Sequence, residues 1–102
     1  MNLEKMKNLM TKAATSKSTM IIHYVNMKKQ KSYREVEPYK LERLEGKDDY
    51  IFWGWDIKDN LIKKFYGSRL SMAFVSGRKY NPRWDIEIDG KVIRTTGESI
   101  SD

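Results

Sequence analysis

Met20-Ile21-Ile22-His23-Tyr24-Val25 is the stretch on which the fold of this chain turns. β-Branched and aromatic residues fill it, and its length suits a strand rather than a buried helix. Met27-Lys28-Lys29-Gln30-Lys31 follows as an exposed tip, and Tyr33-Arg34-Glu35-Val36-Glu37 alternates as a return strand would. Toward the N-terminus the period changes. Leu3, Met6, Leu9, Met10, Ala13 and Ala14 recur at helical spacing between lysines, which predicts an amphipathic helix over residues 3–15. Asn2 is placed to cap its first turn, and the acid Glu4 suits the positive end of its dipole. The run Thr15-Ser16-Lys17-Ser18-Thr19 then breaks the pattern.

Downstream of the hairpin the strand grammar continues. Pro38 marks an edge, a bulge or a bend, and Tyr39, Leu41 and Leu44 carry the strand on to a turn at Glu45-Gly46-Lys47-Asp48. Residues 50–57 form a strongly aromatic strand closed by Lys58-Asp59-Asn60. Residues 61–66 form the next, and Gly67 kinks the chain ahead of a strand over 70–75. The segment 77–82 reads as loop. Asp89-Gly90 between alternating runs predicts a final hairpin over 84–95, and the polar residues 96–102 read as a frayed tail. The expectation is one domain over 1–102, mainly β with one N-terminal helix (α+β). Residues 19–75 would form a small, strongly bent barrel or sandwich, with the C-terminal hairpin added.

Composition bounds the function. A chain of 102 residues holds one modest core and no Rossmann unit or barrel enzyme of the usual size. Its hydrophobic fraction, 39%, is low and its charged fraction, 33%, is high, but 12% aromatic residues argue against disorder. The absence of Cys removes disulfides, thiolate zinc sites and cysteine nucleophiles together. Met1-Asn2-Leu3-Glu4-Lys5-Met6-Lys7 leads into no apolar block, so no signal peptide is expected, and no run is long enough to span a membrane. Cytoplasmic location is the default. The net charge of +6 lies wholly in residues 1–40, where nine Lys/Arg face three Asp/Glu; the remainder is balanced. That asymmetry suits an anionic partner, or simply solubility.

Chemistry beyond binding finds no support in the residues. His23 is the single imidazole, so no metal site is expected. Ser16, Ser18 and Ser68 have no evident base, and Asp85, Glu87 and Asp89 alternate along a strand as a solvated face would. The glycines are isolated and form no phosphate loop. Neither an enzyme nor a cofactor is expected.

Three segments, in order and in register, resemble the WYL domain of bacteria and their phages. They are Arg34-Glu35-Val36-Glu37-Pro38-Tyr39-Lys40-Leu41, then Tyr50-Ile51-Phe52-Trp53-Gly54-Trp55-Asp56, then Ile62-Lys63-Lys64-Phe65-Tyr66-Gly67-Ser68-Arg69-Leu70. Ile22-His23-Tyr24 stands where that family has its first strand, and the likeness covers residues 10–75. It departs in the naming triplet, which here is Tyr50-Ile51-Phe52, in Lys63 standing for an Arg, and in Ser68 standing for an Asp. The resemblance implies an Sm-like or SH3-like barrel of about five strands. It also implies a basic, partly aromatic patch that binds nucleotides or single-stranded nucleic acid through Arg34, Lys63, Arg69, Tyr24 and Tyr50. Lys63 in place of Arg loses the bidentate fork.

A plainer account pairs those cations with Glu35, Glu37 or Asp56 on a solvated surface. Trp53 and Trp55 are expected in the core and Tyr50 at the ligand. The expected function is therefore a non-enzymatic ligand-binding or regulatory module for an anionic nucleotide-type ligand or single-stranded nucleic acid. A major-groove reader is not expected, because the one short helix cannot form a helix-turn-helix. The alternative is a small regulator that docks on a protein partner, or on itself, through its N-terminal helix or C-terminal hairpin.

Overall fold

Asn2 starts the only α-helix among the described residues. Its side-chain oxygen accepts the Lys5 N–H at 2.8 Å, and α1 runs Leu3–Ser16 in a computed structural model that describes residues 1–100. Met6, Met10, Ala13 and Ala14 form its buried stripe. Lys17 ends the helix in the left-handed region, and its N–H turns back to the Ala13 and Ala14 carbonyls. The Met-rich face that would have met a partner is thus consumed by the core.

Among the described residues seven strands follow: β1 (Ser18–Val25), β2 (Lys31–Arg43), β3 (Tyr50–Asp56), β4 (Leu61–Tyr66), β5 (Leu70–Lys79), β6 (Ile86–Ile88) and β7 (Lys91–Ile93). Five lie in the spatial order β4-β3-β2-β1-β5, each pair antiparallel, while β6 pairs in parallel with β2 and carries β7 on its other side. The path is not closed into a barrel. β4 and β5 end it, joined through a 3₁₀ turn at Gly67–Arg69 rather than by strand pairing. Helix α1 packs against β5, β1, β2 and β6, and Met6, Met10, Met20, Ile22, Val36, Leu41, Phe52, Leu70 and Ile86 are fully buried there.

At Pro38 the structure takes one of the expected alternatives, a bulge, and two later elements differ from expectation. Strand β2 runs thirteen residues, straight through Pro38: Pro38 pairs with Gly54 and Lys40 with Trp53, so Tyr39 is the extra residue of a bulge. Strand β5 reaches Lys79 because Gly77, at φ +84, gives its N–H to Ser18 Oγ at 2.8 Å and lets the strand continue. The expected tail is tied down as far as residue 100. Asp85 Oδ1 accepts the N–H groups of Thr95, Thr96 and Gly97 at 2.7–2.8 Å, which hold its pKa at about 2, and Ile100 packs on the core. Residues 101 and 102 of that expected tail lie outside the described residues. These bonds shorten the last hairpin to residues 86–93.

The bulge drives Tyr39 inward, where its hydroxyl donates to Glu37 Oε1 at 2.5 Å and accepts the Arg83 N–H at 2.9 Å. Arg83 Nε also reaches Glu37 Oε1 at 3.1 Å, and its guanidinium lies 4.0 Å above the Trp55 ring. Burial, with the Glu37 carboxylate second, pushes the Tyr39 phenol far above its ordinary range. Tyr39→Phe leaves the buried Glu37 one donor short and the Arg83 N–H without an acceptor. The expected cost is about 1–2 kcal/mol in urea unfolding. A change under roughly 0.5 kcal/mol, the spread of neutral surface substitutions, would show that the network contributes little.

Candidate functional site

Strand register brings Arg34 and Lys63 together. Arg34 lies opposite Ile22 and two residues from Val36, which faces Asp56; Lys63 lies opposite Gly54, two residues from the same Asp56. With a side-chain period of two, Arg34, Asp56 and Lys63 share the face that buries Ile22, Val36 and Phe52. They take over where the apolar core ends.

Asp56 is the hub. Its Oδ2 accepts from Arg34 Nη1 at 3.1 Å and from Lys63 Nζ at 3.0 Å. Its Oδ1 accepts the N–H groups of Lys58 and Asp59 at 3.1 and 3.3 Å, which shapes the turn into β4. Asp59 touches Lys63 as well and lies 4.0 Å from Arg34 Nη1. Arg34 Nε donates to Ser32 Oγ at 3.2 Å, and the guanidinium lies 6.0 Å from the centre of the Phe65 ring. The Asp56 side chain is 4% exposed and that of Asp59 is 47% exposed. Burial raises the Asp56 pKa, but the bonds from Lys63, the Asp59 N–H and Arg34 outweigh it and hold the carboxyl below its usual range. Beside this quartet lies a cleft of about 350 Å³ lined by Ser32, Tyr33, Arg34, Asp56, Lys58 and Asp59.

The other expected site residues lie differently. Tyr24 is half-buried, edge-on to Phe65 with ring centres 5.0 Å apart, and it is the Phe65 ring that lies under Arg34. Arg69 is half-buried on the 3₁₀ turn, outside the cleft lining, and makes no ion pair among the described residues. Tyr50 is a correction. It is 3% exposed, its hydroxyl donates to the Met1 carbonyl at 2.8 Å, and burial followed by the Asp49 charge pushes its pKa up to about 12. Its ring is packed in the core rather than open as a stacking surface. Trp53 is buried as expected, with Lys40 and Lys64 over its ring, while Trp55 is half-buried under Arg83.

Tyr33, not singled out from sequence, is 65% exposed at the cleft and stacks on His23 at 4.5 Å. Its neighbour Arg34 faces inward, so alternation along β2 was the available signal. Asp59 was read as turn only; its spacing, three residues after Asp56 and four before Lys63, was the clue that it shares their contacts. Of the acids weighed as partners, Asp56 takes Arg34 and Lys63, while Glu35 pairs with Arg78 and Glu37 with Arg83. Among the described residues no group of three or more His, Cys, Asp or Glu could hold a metal, and no helix is long and apolar enough to cross a membrane.

Comparison with known proteins bears on the fold. No protein-family model matches the chain, and no curated protein matches it. Among solved structures, the chain is similar to proteasome accessory factor B/C (PafBC) of Arthrobacter aurescens, with a TM-score of 0.65 at 17% identity. The match covers 76% of this chain and 12% of that one, so the chain spans about an eighth of the length of that neighbour. PafBC contains a WYL domain, and the likeness, which is one of fold alone, agrees with a WYL-like fold for this chain.

Proposed function

We propose that this chain is a non-enzymatic, WYL-like regulatory module. It binds a nucleotide-type anion or single-stranded nucleic acid at the cleft beside Arg34 and Lys63. One observation carries the reading: two cations from separate strands converge on a single carboxylate oxygen at the mouth of the core, with a cleft and the exposed Tyr33 ring beside them. Long-range register built this juxtaposition, in which the two cations also neutralise the nearly buried Asp56 carboxylate. Tyr33 takes the stacking role that Tyr50 cannot, and base stacking on such a ring contributes about 1–3 kcal/mol. The fold likeness to PafBC supports a regulatory role by analogy only.

The test is titration of a panel of nucleotides, cyclic nucleotides and short DNA and RNA at low salt. Arg34→Gln and Lys63→Gln are each expected to weaken binding about tenfold or more, since each removes a charge-assisted bond. Affinity unchanged in both variants would refute the site.

A second reading keeps a protein partner, on one observation. Met72 and Phe74 are exposed on β5, an edge strand without a charged residue from Leu70 to Gly77. A bare edge of that kind suits strand addition. Salt separates the readings: nucleic-acid binding falls steeply as salt rises and a mainly apolar contact does not.

A further inference from the structure

The two carboxylates of the quartet are not equivalent, and the difference is mechanical. Asp56 is 4% exposed and fastened by four hydrogen bonds, two of them to the backbone of its own turn. Asp59 is 47% exposed, and among the described residues its carboxylate meets only Lys63 and Arg34. The backbone beneath Asp59 is held independently: its N–H goes to Asp56 Oδ1, and the next N–H, of Asn60, goes to the Asp56 carbonyl at 2.8 Å. Rotation of the Asp59 side chain into water therefore breaks two exposed ion pairs and leaves the turn intact. Moving Asp56 would dismantle the turn.

We infer that the Asp59 carboxylate is a resident stand-in for the ligand's anionic group, and that a ligand enters by displacing it from Lys63 and Arg34. This rests on the cleft reading above and adds two properties to it. The first is self-competition: apparent affinity is set partly by an internal anion tethered beside the cations. The second is charge selection. With Asp59 out, Arg34 and Lys63 face the fixed Asp56 carboxylate; on the cleft wall Glu35 is already paired with Arg78, and Lys58 adds a further positive charge. Within the Arg34–Lys63–Asp56 cluster itself one net positive charge remains. A singly charged group such as a phosphodiester matches it, whereas the second charge of a terminal phosphate would lie against Asp56 in a poorly hydrated place.

Phosphodiesters occur both in cyclic nucleotides and in oligonucleotide backbones, and separate arms distinguish them. Cyclic AMP, AMP and a thymidine hexanucleotide are titrated into the wild type, Asp59→Asn, Lys63→Gln and the double variant. Asp59→Asn is expected to tighten cyclic AMP or the hexanucleotide by about two- to fivefold, the range set by an exposed ion pair. The probe that responds names the source. Adding Lys63→Gln should abolish the gain, and AMP should bind more weakly than cyclic AMP throughout. Asp59→Asn affinities equal to or weaker than wild type, in a protein where Lys63→Gln still weakens binding, overturn the stand-in while the cleft survives. AMP binding more tightly than cyclic AMP overturns the charge selection. No binding of any probe by any of the four proteins overturns the cleft reading and the stand-in together.

Discussion

Asp56→Ala is expected to destabilise the fold by about 3 kcal/mol, the low end of the range for removing one partner of a buried ion pair. The low end applies because Arg34 and Lys63, at 30% and 22% exposure, still reach water when their shared counter-ion goes. The loss has two parts. Both cations lose the oxygen at 3.0–3.1 Å, and the Lys58 and Asp59 N–H groups lose the acceptor that shapes the turn into β4. Asp59→Asn, by contrast, should cost no more than about 1 kcal/mol, as exposed pairs do. Equal costs for the two would contradict the division of labour between the carboxylates. Acid gives an independent check. A carboxyl whose pKa is lowered by folding stabilises fully above its unfolded pKa of about 4. That contribution is lost as pH falls through the lower, folded value. The difference between wild type and Asp56→Ala should therefore be constant above about pH 5 and shrink below pH 4. Urea midpoints across that range measure it.

Gly67→Ala is expected to cost about 2–3 kcal/mol, toward the upper end for forcing extra volume into a packed site. A β-carbon on Gly67 would lie 2.2 Å from Cε1 and 2.3 Å from Cζ of the Tyr50 ring. The ring has little room to retreat, being buried and held at its hydroxyl by the Met1 carbonyl. Gly67 is outside the left-handed region, so the effect is steric and not conformational. Trimming the ring should therefore relieve it: Tyr50→Leu combined with Gly67→Ala should cost less than the two changes summed. Strict additivity in thermal unfolding, or a Gly67→Ala protein as stable as wild type, would place the ring elsewhere.

Local pattern made much of the fold legible. The 3.6-residue recurrence of Met6, Met10, Ala13 and Ala14 located α1 to within a residue at its end, and the strand-turn-strand at 20–37 appeared as β1 and β2. Positions where tertiary bonds overrule a local sign were not legible. Gly77 reads as loop until Ser18 Oγ takes its N–H, and residues 96 and 97 read as tail until the Asp85 carboxylate gathers their N–H groups. Tyr50 was misplaced for a related reason. Alternation along β3 separates two faces but cannot say which is open, and here one buries Tyr50 and Phe52 while the other buries Trp53. The site was half legible. Arg34 and Lys63 came from a family resemblance, and only the register of β2, β3 and β4 explains why Lys63, rather than Lys64, meets Asp56: Lys64 points the other way, over Trp53.

The parallel pairing of β6 with β2 joins Lys40 to Glu87 and Leu41 to Ile88, residues far apart along the chain. Such a contact must wait for the segments between to find their places, because the entropy of closing a long loop is recovered only after both ends are fixed. The hairpin pairs along the β1–β2–β3–β4 path need no such delay. During synthesis the terminal hairpin would thus be the last piece to seat. A chain stalled before residue 86 would carry the cleft largely assembled, with the flank of β2 beside Leu41 still uncovered.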